Sequence, residues 1–173
     1  MGPKKFSSLF VSATALLLLV ATHYPAAEAR FEGVNSWCRT ADYRLLCTSM
    51  VAGAATQQDA SVNAMKTTLD LVRRVQTFVP RLKPAISHLE PQSQESIMET
   101  CNEDFEGKID DIETSIKAMQ SKDIGTVSTR LSAAYHSDCV DALAEFGVDC
   151  PFSKFVQTLQ RQVSNCLAVV QQN

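Results

Sequence analysis

Apolar residues recur at steps of three and four through most of the chain beyond residue 58. Val62, Met65, Leu69, Val72, Val75 and Val79 form a first series. Ile97, Cys101, Phe105, Ile109, Ile112, Ile116 and Met119 form a second. A third runs Ile124, Val127, Leu131 and Ala134, then Val140, Leu143 and Phe146. A fourth runs Phe152, Phe155, Val156, Leu159, Val163, Cys166, Leu167 and Val170. This spacing puts each series on one stripe of a helix with a polar opposite face. Alternating β-branched runs and Asn-Gly or Asp-Gly turns, the marks of paired strands, do not occur. Four amphipathic segments with short connections predict an all-α fold, an antiparallel four-helix bundle over 59–173.

The interruptions agree with four segments. Pro80 and Pro84 each remove a backbone donor and clash with the preceding turn. They predict a kink or a short separate helix reaching His88. Pro91 with Ser93 opens the second long segment, and Ser121-Lys122-Asp123 closes it. Asp123 suits the N-cap of the third. Gly147 to Pro151 separates the third from the fourth, which starts near Pro151 or Ser153.

The first 29 residues read differently. Lys4 and Lys5, the apolar run Leu9 to Val20 and the small-residue site Ala27-Glu28-Ala29 form a secretion signal over 1–29. The run is well short of the ~20 residues that span a bilayer, so no membrane attachment is expected once it is removed. The expected destination is the cell exterior, with a vacuole-like compartment second. The mature chain, residues 30–173, carries a formal charge of −4 against −3 for the whole. A mildly acidic chain without basic clustering does not suit nucleic acid.

Secretion changes how the six cysteines are read, because disulfides persist outside the reducing cytosol. Six cysteines allow fifteen complete pairings. Cys38 and Cys47 enclose eight residues and close a short helical hairpin in an N-terminal extension over 30–58. Cys101 early in the second bundle segment and Cys139 late in the third sit at adjacent ends of an antiparallel pair. Cys150 and Cys166 would be roughly 20 Å apart on a continuous fourth helix at 1.5 Å per residue, too far to join. Cys166 falls on the apolar stripe as a buried thiol. Cys150 is loop-borne, free or available to link two copies of an otherwise monomeric protein. Close Cys or His pairs that would hold zinc do not occur.

Catalytic signatures are missing as well. A cysteine nucleophile needs a histidine against it, and the mature chain offers only His88 and His136. No G-x-S-x-G elbow, glycine-rich phosphate loop or H-E-x-x-H is present. The reading is a binding protein without catalytic residues, metal or cofactor. Glu99, Glu103, Glu106, Asp110 and Glu113 form an acidic line on the second helix, with Asp138 and Asp141 near the Cys101–Cys139 pair. The line is either a solvated face or an electrostatic docking face. Calcium usually draws oxygens from a tight loop instead. Arg73, Arg74, Arg81 and Lys83 read as ordinary surface charge, and Trp37 as packing for the hairpin.

Several of these stretches together resemble the plant invertase and pectin methylesterase inhibitors. Cys38-Arg-Thr-Ala-Asp-Tyr-Arg-Leu-Leu-Cys47 is similar to the family's first cysteine pair. Glu99-Thr-Cys101-Asn-Glu-Asp-Phe105 and Leu131-Ser132-Ala133-Ala134 with Asp138-Cys139-Val-Asp141 resemble its later cysteine motifs. Val163-Ser-Asn-Cys166-Leu-Ala-Val-Val resembles its last helix. The resemblance implies a secreted inhibitor that blocks the substrate cleft of its target in a one-to-one complex. It places interface carboxylates at Glu103, Asp110 and Asp141. Invertase inhibitors of this family often carry a Pro-Lys-Phe element in the turn that here reads Ser121-Lys122-Asp123-Ile124-Gly125. Its absence puts pectin methylesterase first as the expected partner and acid invertase second. A member of the fold without inhibitory activity is the third expectation.

Overall fold

The four apolar stripes become the walls of a bundle. A computed structural model of the chain describes residues 32–172; the segment 1–29, expected to be a secretion signal, lies outside the described residues. After a short 3-10 turn at Ser36–Cys38 come α1 (Arg44–Met50), α2 (Gln57–Gln76), α3 (Lys83–Ile86), α4 (Pro91–Gln120), α5 (Ile124–Tyr135), α6 (Asp138–Glu145) and α7 (Ser153–Val170). α2 packs on α4, α4 on α5 and α6, α5 on α7, and α7 back on α2. That closed ring is an antiparallel four-helix bundle, and no strand occurs among the described residues.

Each helix buries its stripe. α2 turns Ala64, Met65, Leu69, Val72 and Val75 inward, and α4 turns in Ile97, Cys101, Phe105, Ile112 and Met119. α7 contributes Val156, Leu159, Val163, Cys166, Val169 and Val170. Phe105 has no exposed surface and its ring meets that of Phe152 edge to face, with centroids 6.1 Å apart. Local signals set where the helices begin. Thr56 and Asp59 form a reciprocal capping box at the start of α2. Asp123 caps α5, accepting from the Thr126 amide at 3.1 Å and its hydroxyl at 2.7 Å; these bonds hold the Asp123 carboxyl below its usual value.

Pro80 and Pro84 do not kink a long helix. Each sits in the first turn of a short one, the 3-10 turn Val79–Leu82 and α3 respectively. A missing N–H costs nothing in a first turn. Val79, Leu82 and Ile86 are buried, so this segment covers part of the core. The helical stretch ends at Ile86, before His88.

The third segment departs from a single run. It breaks at His136 and Ser137, whose backbones are extended, and α6 starts afresh at Asp138. The apolar stripe shows why: from Ala134 to Val140 it steps by six positions, more than one turn can bridge. Ser137 ahead of Asp138 and Asp141 then supplies the polar and acidic residues suited to a new helix N-terminus. Cys139 therefore lies in the first turn of α6 and not late in a continuous helix.

The extension is fastened to α7 through backbone groups. A disulfide joins Cys38 to Cys47, with Cα atoms 5.7 Å apart. Asn165 is fully buried, and its amide spans both polar groups of the Tyr43 backbone. Its Oδ1 accepts from the Tyr43 N–H at 3.3 Å, and its Nδ2 donates to the Tyr43 carbonyl at 3.1 Å. Gln172 Nε2 donates to the Trp37 carbonyl and to Thr40 Oγ1, each at 2.7 Å.

Candidate functional site: carboxylates on two clamped helices

α6 is held to α4 twice. The Cys101–Cys139 disulfide brings the two Cα atoms to 4.3 Å. One turn further along α4, Asp104 reaches the same helix end. Its Oδ2 accepts from Ser137 Oγ at 3.0 Å, and its Oδ1 from the Asp138 amide at 3.3 Å. Ser137 makes no capping bond of its own. Asp104 thus caps α6 from a neighbouring helix, satisfying an amide that a helix start leaves unpaired. Lys108, one turn on, completes the cluster by pairing with Asp104; their side chains are only 5% and 4% exposed. A charged hydrogen bond in so dry a place is strong, and its loss is costly.

Outside this clamp lie the residues expected to meet a partner. Glu103 and Asp110 are both exposed. Seven residues apart, they stand two turns from each other on a line opposite the buried stripe of α4. Asp141 is exposed in the first turn of α6, where negative charge suits the helix dipole. None of these three carboxylates has a hydrogen-bond or ion-pair partner among the described residues. Glu99 and Glu106 are exposed on the same side of α4.

The acidic line is not uniform in use. Glu113 leaves it to pair with Arg73 of α2 at 2.6 Å, and Asp111 pairs with Arg130 of α5 at 3.0 Å. With Asp104, these acids tie α4 to its neighbours. Of the basic group, Arg73 is so engaged, and the Arg81 guanidinium lies 4.2 Å from the Phe78 ring centroid. The structure thus sorts the acids of α4 into inward-tying ones and outward-facing ones. Sequence spacing marked the second set and missed Asp104, Lys108 and Asp111. The signal for Lys108 was present: a lysine on an apolar stripe, one turn after an aspartate, needs that aspartate as a buried partner.

Cys139 is in its disulfide, and the His136 ring stands edge-on to Tyr135 at 5.7 Å. Cys150 is half-buried, and burial raises its thiol above the ordinary value. Cys166 is fully buried at 3.3 Å from Thr68 Oγ1, and burial pushes its thiol up to about 12. No group of three or more His, Cys, Asp or Glu among the described residues could hold a metal. No described helix is long and apolar enough to cross a membrane. The thiols give a direct check. In the folded protein an alkylating agent at pH 8 is expected to modify Cys150 and to spare Cys166 until denaturant is added. The raised Cys166 thiol makes the native state keep a proton that the unfolded state loses. Its contribution to stability is whole below about pH 9 and is lost as pH rises toward 12. A series of urea midpoints across that range should fall accordingly.

The chain belongs to the plant invertase/pectin methylesterase inhibitor family, whose sequence profile matches residues 32–169. Members of that family are inhibitors rather than enzymes. Among solved structures, mutant form A of a pectin methylesterase inhibitor from Arabidopsis superposes with a TM-score of 0.62. It is 15% identical, over 78% of this chain and 93% of that one. A pectin methylesterase inhibitor from Arabidopsis thaliana gives a TM-score of 0.56 at 16% identity, over 68% of this chain and 78% of that one. At such identities the likeness is one of fold. A search of curated proteins by sequence gives no match.

Proposed function

We propose that the chain, secreted and freed of residues 1–29, inhibits pectin methylesterase by occluding its substrate cleft in a one-to-one complex at the cell wall. The carrying observation is the set Glu103, Asp110 and Asp141, exposed and unpaired on two helices that a disulfide and a buried carboxylate lock together. A locked surface loses little conformational entropy on docking, so more of its contact energy appears as affinity. Exposed carboxylates steer a positively charged partner rim toward it. The turn between α4 and α5, Ser121-Lys122-Asp123, lacks the Pro-Lys-Phe element of many invertase inhibitors, which supports the pectin methylesterase target.

The test is a side-by-side titration. Oxidised protein spanning 30–173 is added to a plant pectin methylesterase and to a plant acid invertase at mildly acidic pH. Stoichiometric loss of the esterase activity alone is the expected outcome. Loss of the invertase activity alone would transfer the target. Loss of neither, from a helical and correctly bridged sample, would remove the inhibitory reading.

A further inference from the structure

A groove runs along the outside of the bundle where α2 meets α4. Lys66, Leu69, Asp70 and Arg73 line it from α2, and Glu113, Ile116 and Lys117 from α4; the cavity between them is about 400 Å³. Its floor is apolar for a reason visible in α4. The buried line of that helix runs Phe105, Lys108, Ile112, Ser115 and Met119, so two of its inward positions are polar. Ile109 and Ile116 stand one position further round and are only half-buried. An isoleucine left partly in water forgoes some of the gain of burial, and Ile116 turns that surface into the groove. Leu69 lies beside it, and the methylene stems of the lysines extend the apolar wall.

The polar groups are divided along the groove. Arg73 and Glu113 pair across it at 2.6 Å. In an antiparallel pair, four residues back along α2 meet four residues on along α4, which sets Leu69 against Lys117 and Lys66 beyond them. Both ammonium groups therefore stand at the end away from the ion pair. Lys66, Asp70 and Lys117 are exposed, and their side chains have no hydrogen-bond or ion-pair partner among the described residues. Three cations against two anions leave the lining net positive, on a chain whose formal charge is −3. An apolar floor with two free ammonium groups at one end fits a molecule divided in the same way. We infer that this groove binds a small amphipathic carboxylate, its apolar body on Leu69 and Ile116 and its anionic head between Lys66 and Lys117. Asp70, one turn from Lys66, cancels part of the positive potential and so favours one negative charge over two. The volume falls within the roughly 300–1,000 Å³ of small-molecule sites. The site does not depend on the inhibitory reading, because none of Glu103, Asp110 and Asp141 lines the groove.

The experiment is a nitrogen–proton NMR titration of the oxidised 30–173 protein with three probes: 2-naphthoate, its neutral analogue 2-naphthalenemethanol, and acetate. 2-Naphthoate is expected to shift the amide signals around Leu69, Ile116 and Lys117 in a saturable way, with a Kd on the order of 1 mM, the range of so small a ligand in an open site. The alcohol should bind several-fold more weakly, and acetate, without an apolar body, should not saturate. Lys66→Gln and Lys117→Gln, both at exposed positions, should each weaken naphthoate binding by up to about fivefold, the reach of a solvated charge pair, and leave binding of the alcohol unchanged. Equal affinity for acid and alcohol, or lysine variants that both bind naphthoate as the parent does, would overturn the carboxylate assignment. Acetate binding as tightly as naphthoate would overturn the apolar floor. No saturable shift at these residues with about 10 mM naphthoate, the weak end of useful affinity, would overturn the site itself.

Discussion

Asp104→Ala is expected to destabilise the protein by about 3–5 kcal/mol, the usual effect of removing one partner from a buried ion pair. Lys108, whose side chain is 5% exposed, would be left with no counterion, while Ser137 Oγ and the Asp138 amide would lose their acceptor. Against a total folding stability of ~5–15 kcal/mol that is a large share. A urea titration of the oxidised protein reads it as a fall in midpoint at unchanged slope. A companion variant separates the clamp from simple packing. Replacing both partners, Asp104→Leu with Lys108→Met, removes the buried charges together and should recover the part of the loss that comes from the stranded ammonium, while Ser137 Oγ and the Asp138 amide still lack their acceptor. Removing the Cys101–Cys139 bridge should cost less, about 2–4 kcal/mol. A drop below about 1 kcal/mol for Asp104→Ala, the range of an exposed pair, would show that the carboxylate does not clamp α6. Fraying of α6 would also release Asp141, so the same variant should weaken the proposed inhibition even under conditions where the bundle remains folded.

The bundle was legible because its signal is local and repeated. Val127, Leu131 and Ala134 mark a helix face without knowledge of what they touch, and the residues they meet carry the same pattern. Asp123 was legible as a cap for the same reason, since its partner Thr126 lies three residues on. The α5–α6 break was written in the sequence too. The six-residue step in the stripe was read across, because Val140 and Leu143 restored the rhythm beyond it. Other features depend on positions that the chain brings together only on folding. Asn165 reaches Tyr43 across 122 residues, and nothing near either residue announces the other. The cavity lined by Asp42, Tyr43, Tyr135 and Arg161 likewise joins the N-terminal hairpin to side chains of α5 and α7. Asp104 lay between these cases. Its partner Lys108 was visible one turn away, whereas its more consequential partners, Ser137 and the Asp138 amide, are 33 and 34 residues off. Spacing therefore identified which acids share a line on α4, and only tertiary contacts separated those that tie helices from those that face outward.

Replacing Glu103, Asp110 and Asp141 together with alanine is expected to weaken inhibition on the order of 100-fold while leaving the bundle intact. Each lost carboxylate contact at a partly solvated interface is worth about 1 kcal/mol, and each 1.4 kcal/mol is a factor of ten in affinity. Glu103 and Asp110 stand ~10 Å apart along α4, at 1.5 Å per residue, so their effects should be close to additive. The stability arm of the experiment points the other way. Glu99 and Glu103 are four residues apart, as are Glu106 and Asp110, and like charges at that spacing repel by a few tenths of a kcal/mol. Removing Glu103 and Asp110 relieves both pairs, which offsets the few tenths of a kcal/mol lost with Asp141 at the α6 N-terminus, so the variant should be about as stable as the parent. A protein that becomes weaker as an inhibitor while becoming no less stable carries those charges for its partner and not for its fold. Association kinetics sharpen the test. If the carboxylates steer docking, the parent's association rate should fall as salt rises, and the triple variant's rate should be lower and nearly independent of salt. Unchanged inhibition by the triple variant would sink the carboxylate face as the docking surface, and the search would pass to the remaining exposed faces of the bundle.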